Sequence, residues 1–136
     1  MMRRILCLWI PNWSVQRLQV RQPGLRDRPL VLFREGPRGQ SIVTTHDRGA
    51  TARGVRAGMS LAEAQSLCLD QPASGEPRFV RHDVREDREA LRRLAWSCER
   101  FTPLVALEES ECPESLLLDI SGCDFVFGGE EELTRQ

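Results

Sequence analysis

Three groups of side chains in this sequence have types and spacings that could do chemistry. Acids gather late in the chain: Glu108, Glu109, Glu111, Glu114, Asp119 and Asp124. Hard divalent cations take carboxylate oxygens, so such a group could hold an ion. Arg48, Arg53 and Arg56 lie close together, and a guanidinium forks onto phosphate oxygens. These three are the candidate nucleic-acid contacts, with a solvated face as the competing reading. Trp9 and Trp13 flank the end of an apolar run and could stack on bases. The plainer expectation puts both in the core at a strand–helix corner. The stretch 108–114 likewise reads as a solvated turn.

Other chemistry finds less support. His46 and His82 have no partner at metal-ligand spacing. The five cysteines, Cys7, Cys68, Cys98, Cys112 and Cys123, form no CxxC pair and read as reduced residues of a cytoplasmic protein. All 19 basic residues are arginine, which removes lysine as a nucleophile or phosphate ligand. Net charge is −1, so any nucleic-acid contact must come from a local patch. No run is apolar and long enough for a signal core or a membrane span.

The elements that must position these groups follow from pattern. Residues 5–10 (ILCLWI) are an unbroken apolar run, expected as a strand covered on both faces and central in its sheet. Pro11 ends it and suits the first turn of a helix, which Pro23 and Gly24 stop. Residues 29–33 and 40–45 read as hairpin partners across a turn at 35–39. Asp47 caps a short helix ending at Gly54, and Ser60 with Glu63 forms a capping box. Residues 72–77 read as a linker, and 79–80 as a short strand ending at His82. Asp83 opens the strongest helix, with Val84, Leu91, Leu94, Ala95 and Cys98 along one side. Strands over 104–107 and 115–121 follow, then a helix start at 130–133. The fold class expected is α+β: an antiparallel sheet with helices on one face and a small inserted subdomain. The chain is expected to be the N-terminal part of a longer protein, since it stops one turn into a helix.

Three stretches together resemble a known family. GVRAGMSLAEA (54–64) resembles the finger-domain signature G-V-R-x-G-M-x-x-x-E-A of Y-family, or translesion, DNA polymerases. CERFTP (98–103) resembles the passage from their palm helix to a strand, and LLDISG (117–122) their palm strand L-D-V-T-G. FGGE (127–130) and the opening LWIP (8–11) are similar to the ImuB-type subgroup. The resemblance implies a palm-like subdomain over 1–22 and 73–136, with a fingers-like insertion over 23–72. Thumb and little-finger domains would lie outside this chain.

The departures from the family carry the functional expectation. Its phosphoryl transfer uses two metal ions held by carboxylates. The family's D-x-D at the end of the first strand falls on Trp9, Ile10 and Pro11. Its S-x-D-E falls on Cys112, Pro113, Glu114 and Ser115, so only Glu114 is acidic, and insertions in 108–114 leave that register open. The residues set against the triphosphate fall on Arg48 and Thr51, and the ribose gate on Ser14. The resemblance therefore implies no catalytic residues, no metal site, no cofactor and a non-polymerising partner in damage-induced mutagenesis. It implies primer-template DNA, an error-prone replicative-type polymerase, an ImuA-type protein and the sliding clamp as partners, with no membrane. An active nucleotidyltransferase using displaced carboxylates, and a plain interaction domain without a DNA role, stand as alternatives.

Overall fold

The structure is a computed structural model that describes residues 2–71 and 75–136. Half of the expected linker, residues 72–74 of 72–77, lies outside the described residues. The elements run β1 (Ile5–Trp9), α1 (Trp13–Arg21), a 3₁₀ turn (Pro23–Asp27), β2 (Leu30–Glu35), β3 (Ser41–His46), α2 (Arg48–Ala52), α3 (Leu61–Leu69), β4 (Arg78–Arg81), α4 (Val84–Cys98), β5 (Val105–Leu107), β6 (Ser115–Asp119), α5 (Asp124–Phe127) and α6 (Glu130–Arg135). They divide into two compact units, one of Met1–Pro11 with Val84–Gln136 and one of Asn12–Asp83.

The first unit holds an antiparallel sheet in the order β1-β6-β5, with Trp9 opposite Ser115 and Ile5 opposite Asp119. Leu116 and Leu118 alternate along β6 and are buried, which is the period of a strand with one covered face. Asp87, Leu91, Ala95 and Cys98 are the buried residues of α4, at helical spacing along one stripe. Arg88, on the next face, donates to the carbonyls of Ser110 at 2.9 Å and Glu111 at 3.1 Å. That ties the acidic loop to the helix. Arg4 pairs with Glu130 at the start of α6.

The second unit holds a sheet in the order β3-β2-β4, with β2 and β3 an antiparallel hairpin and β2 and β4 parallel. Val31 packs with Val43, Ala50, Val55, Ala64 and Cys68 on one side. Leu30 and Leu32 pack with Val15 and Leu25 on the other. Asp47 caps α2 through Ala50 N–H, and Ser60 caps α3 through Glu63 N–H at 3.2 Å.

Three expectations are corrected here. β1 is not a central strand covered on both faces. It lies at one side of its three-strand sheet, and Ile5, Cys7, Leu8 and Trp9 are exposed. The doubly covered strand is β2, because helices and turns of its own unit supply apolar residues to both of its faces. The division of the chain also differs from 1–22, 23–72 and 73–136: α1 and β4 both belong to the inserted unit. The cause is packing, since Val15 of α1 joins the Leu30 cluster and β4 ladders onto β2. Finally, α5 and the 3₁₀ turn form where the sequence shows only punctuation.

Candidate functional site

The end of β1 is the first place to look for chemistry, and its backbone is well fixed. Ile10 N–H donates to Glu114 O at 2.8 Å, carrying the β1–β6 ladder to its last rung. Trp9 stands opposite Ser115. Trp9 is 67% exposed, so the expectation of a core indole is corrected at this position. The physical reason is strand alternation: the covered face of the sheet takes Leu116 and Leu118, and Trp9 shares the other face with Ser115. The indole N–H donates to Glu114 Oε2 at 3.4 Å. Glu108 Oε2 in turn accepts the Glu114 backbone N–H at 3.1 Å.

The donor set at this corner does not fit a pair of divalent ions. Such ions sit about 3.5–4 Å apart and each needs several oxygen ligands. The Trp9 side chain presents a hydrogen-bond donor, that of Pro11 carries no ligand atom and Ser115 offers a neutral hydroxyl, leaving the carboxylates of Glu108 and Glu114, which already accept the hydrogen bonds above. Asp119 is on the same face but four residues along β6 from Ser115, about 13 Å away at strand rise. It is also engaged: Ser121 N–H donates to Asp119 Oδ1 at 3.0 Å, and Arg3 lies 3.6 Å from Oδ2. Hydrogen bonds from the Ser121 side chain and backbone, with a smaller pull from Arg3, hold its carboxyl below the ordinary range. Among the described residues no group of three or more His, Cys, Asp or Glu is placed to hold a metal ion. The side chain of Asp124 lies outside the described residues.

The three candidate arginines separate in the inserted unit. Arg48, the first residue of α2, and Arg56 are exposed, as a phosphate contact requires. Arg53 is corrected: it is only 6% exposed, and its Nη1 donates to the Cys68 carbonyl at 2.6 Å. That carbonyl belongs to the last turn of α3, where backbone acceptors lack intrahelical partners. Arg53 is a buried clamp on a helix end, not a surface cation. Burial pushes the Cys68 thiol up, with Arg53 pulling against it, so this cysteine is a packed thiol.

Several contacts of this unit were not legible from spacing. Asn12 adopts φ 54, a left-handed conformation that Asn tolerates better than most residues. Its side chain donates to His46 O at 2.9 Å and accepts from Thr45 Oγ1 at 2.7 Å, which pins the start of α1 to β3. Ser14 Oγ lies 3.0 Å from His82 Nε2, and Thr51 Oγ1 lies 3.0 Å from His46 Nδ1. Both histidines thus have hydroxyl partners, and the one at His82 was hidden by sequence separation. A Pro–Asn pair at the head of a helix was the one available signal.

Residues 8–136 match the family model described as IMS: impB/mucB/samB family. DNA polymerase IV of Pelotomaculum thermopropionicum is 30% identical over 115 residues, which is 85% of this chain and 26% of that protein. Protein ImuB of Caulobacter vibrioides is 36% identical over 77 residues, 57% of this chain and 15% of that protein. The chain thus spans about a quarter, or less, of the length of these relatives. Among solved structures, the insertion ternary complex of Dbh DNA polymerase superposes with a TM-score of 0.69 at 22% identity, over 98% of this chain and 37% of that one. The post-insertion binary complex of Dbh DNA polymerase gives 0.72 at 21% identity, over 98% of this chain and 36% of that one. At that identity the likeness is one of fold. No helix among the described residues is long and apolar enough to cross a membrane.

Proposed function

Because this chain belongs to the impB/mucB/samB family, the Y-family polymerases, we propose that it is a non-catalytic polymerase-like protein, a scaffold in damage-induced translesion synthesis. The observation that carries this reading is the end of β1. Trp9 stands opposite Ser115, Pro11 follows, and of the two acids at β6's approach Glu114 accepts the Trp9 indole N–H while Glu108 accepts the Glu114 backbone N–H. Phosphoryl transfer in the family relies on ions that neutralise charge on the attacking and leaving oxygens. An indole, a pyrrolidine and a hydroxyl supply no anionic ligand for them.

On this reading the protein holds DNA and other proteins in place. Primer-template DNA is the nucleic-acid partner, met through Arg48 and Arg56 as phosphate contacts. An error-prone replicative-type polymerase, an ImuA-type protein and the sliding clamp are the protein partners that the ImuB-type resemblance implies. The setting is cytoplasmic. Primer extension by the full-length protein, with Mg²⁺ or Mn²⁺ and all four nucleotides, tests the reading. The expected product is none above the no-enzyme control. Nucleotide incorporation that disappears in Glu114→Ala would instead establish the active nucleotidyltransferase with displaced carboxylates.

A further inference from the structure

The inserted unit carries a second basic feature away from α2. Arg28 follows the 3₁₀ turn and Arg78 opens β4, and both line one open cavity with Gln22, Gly24 and Leu25. The backbone beneath it is fixed. β2 and β4 run parallel with Leu30 in register with Arg78, and Arg78 N–H donates to Pro29 O at 2.7 Å. Gly75 has φ +75, and a Cβ there would lie 2.7 Å from Asp27 O and 3.4 Å from Arg28 Cγ. Any side chain at 75 would therefore crowd Asp27 and Arg28, and glycine leaves that space open beside the Arg28 stem.

The electrostatics point to an anion. Among the described residues neither Arg28 nor Arg78 is ion-paired, although Asp27 and Glu76 are close in sequence. Arg21 and Arg26 are exposed on the flanking helix and turn. The local balance is thus positive, four arginines against two acids, in a chain of net charge −1. The cavity measures about 270 Å³. That is below the roughly 300–1,000 Å³ of sites that engulf a small molecule. It suits a phosphate group entering from a strand that runs across the mouth.

We propose that the Arg28–Arg78 cavity binds a backbone phosphodiester of a nucleic acid, without reading bases. Guanidinium forks match phosphate oxygens in geometry as well as charge. The Gln22 side chain supplies a neutral donor for a sugar or phosphate oxygen. Contacts of this kind fix register and orientation and carry no sequence information. The choice of nucleic acid over another phosphate source rests on the proposed DNA role.

Binding of labelled oligothymidine to the full protein, followed by fluorescence anisotropy over a salt series, is the test. Arg28→Gln with Arg78→Gln is expected to weaken binding. It should also lower the slope of log K against log salt by about 0.7 for each single-strand phosphate that no longer meets a guanidinium. Arg93→Gln, an exposed control on α4, is expected to leave both unchanged. In the unsubstituted protein the Nε–H signals of Arg28 and Arg78 should shift on adding oligothymidine. Unchanged affinity and slope in the folded double variant would overturn the proposal. So would signals that shift with inorganic phosphate but not with oligothymidine. Neither result bears on nucleotide incorporation, which is the separate test of the non-catalytic reading.

Discussion

Replacing Arg53 and Arg56 separately by alanine should give opposite signatures, although the two arginines lie three residues apart. Arg53 is 6% exposed and donates a 2.6 Å hydrogen bond to Cys68 O. A hydrogen bond from a charged group contributes about 1.5–3 kcal/mol, and truncation leaves a buried carbonyl at the end of α3 without its partner. Its aliphatic stem also packs, so alanine removes apolar packing as well. The sum is about 3 kcal/mol of lost stability. For a unit of this size that is about 12–24 °C in Tm. Arg56 is exposed with no such bond, and its loss should cost under about 0.5 kcal/mol. DNA affinity at low salt should behave the other way, falling in Arg56→Ala and unchanged in Arg53→Ala measured below its Tm. Urea unfolding and anisotropy on both variants decide it. An Arg53→Ala protein as stable as its parent but weaker for DNA would refute the assignment of Arg53 as a clamp.

Asp47 and Asp119 give two further outcomes. Asp47→Ala removes the acceptor of Ala50 N–H at 2.9 Å and of Leu30 N–H at 3.1 Å. A lost cap costs about 1 kcal/mol and an orphaned buried N–H about 1–3, so urea unfolding should show a loss of about 2–4 kcal/mol, mostly recovered by Asp47→Asn. Asp119 has a folded-state pKa below its unfolded value, near 3.9. Its contribution to stability is therefore present above that value and lost as pH falls through the lowered folded pKa. Asp119→Asn should lower stability at neutral pH and flatten the acid limb of the stability profile, read by thermal unfolding across a pH series.

Much of the local structure was legible, because local rules set it. Ser60 and Glu63 announce a capping box, and the Ser60 hydroxyl does accept Glu63 N–H. Asp47 heads α2, and the apolar run expected as a strand over 115–121 gives β6 over Ser115–Asp119. Burial was less legible. Six apolar residues in a row read alike in a covered strand and in β1, where exposed Ile5, Cys7 and Trp9 share one face. Only pairing tells them apart, and β4 shows the same limit by joining β2 in parallel from more than forty residues away. Arg53 failed for a different reason. Nothing local distinguishes an arginine that snorkels from one that turns back to a helix end.

The site was legible mainly through what its positions lack. Trp9, Pro11 and Ser115 are unsuited to ion binding by side-chain chemistry alone, and the ladder then sets Trp9 against Ser115. The hydrogen-bonded pairs Ser14–His82 and Asn12–Thr45 were hidden, since each joins residues over thirty positions apart. Arg28 and Arg78 were hidden likewise, brought to one cavity only by the β2–β4 register.

Titration of Mn²⁺ into the full-length protein, followed by electron paramagnetic resonance, addresses the proposed lack of ion binding at the end of β1 most directly. The parent protein should leave the free-ion signal intact throughout, and saturable loss of that signal should appear once Trp9→Asp, Pro11→Asp and Ser115→Glu are combined. Saturable Mn²⁺ binding by the parent protein, abolished by Glu108→Ala with Glu114→Ala, would contradict a corner without ion ligands.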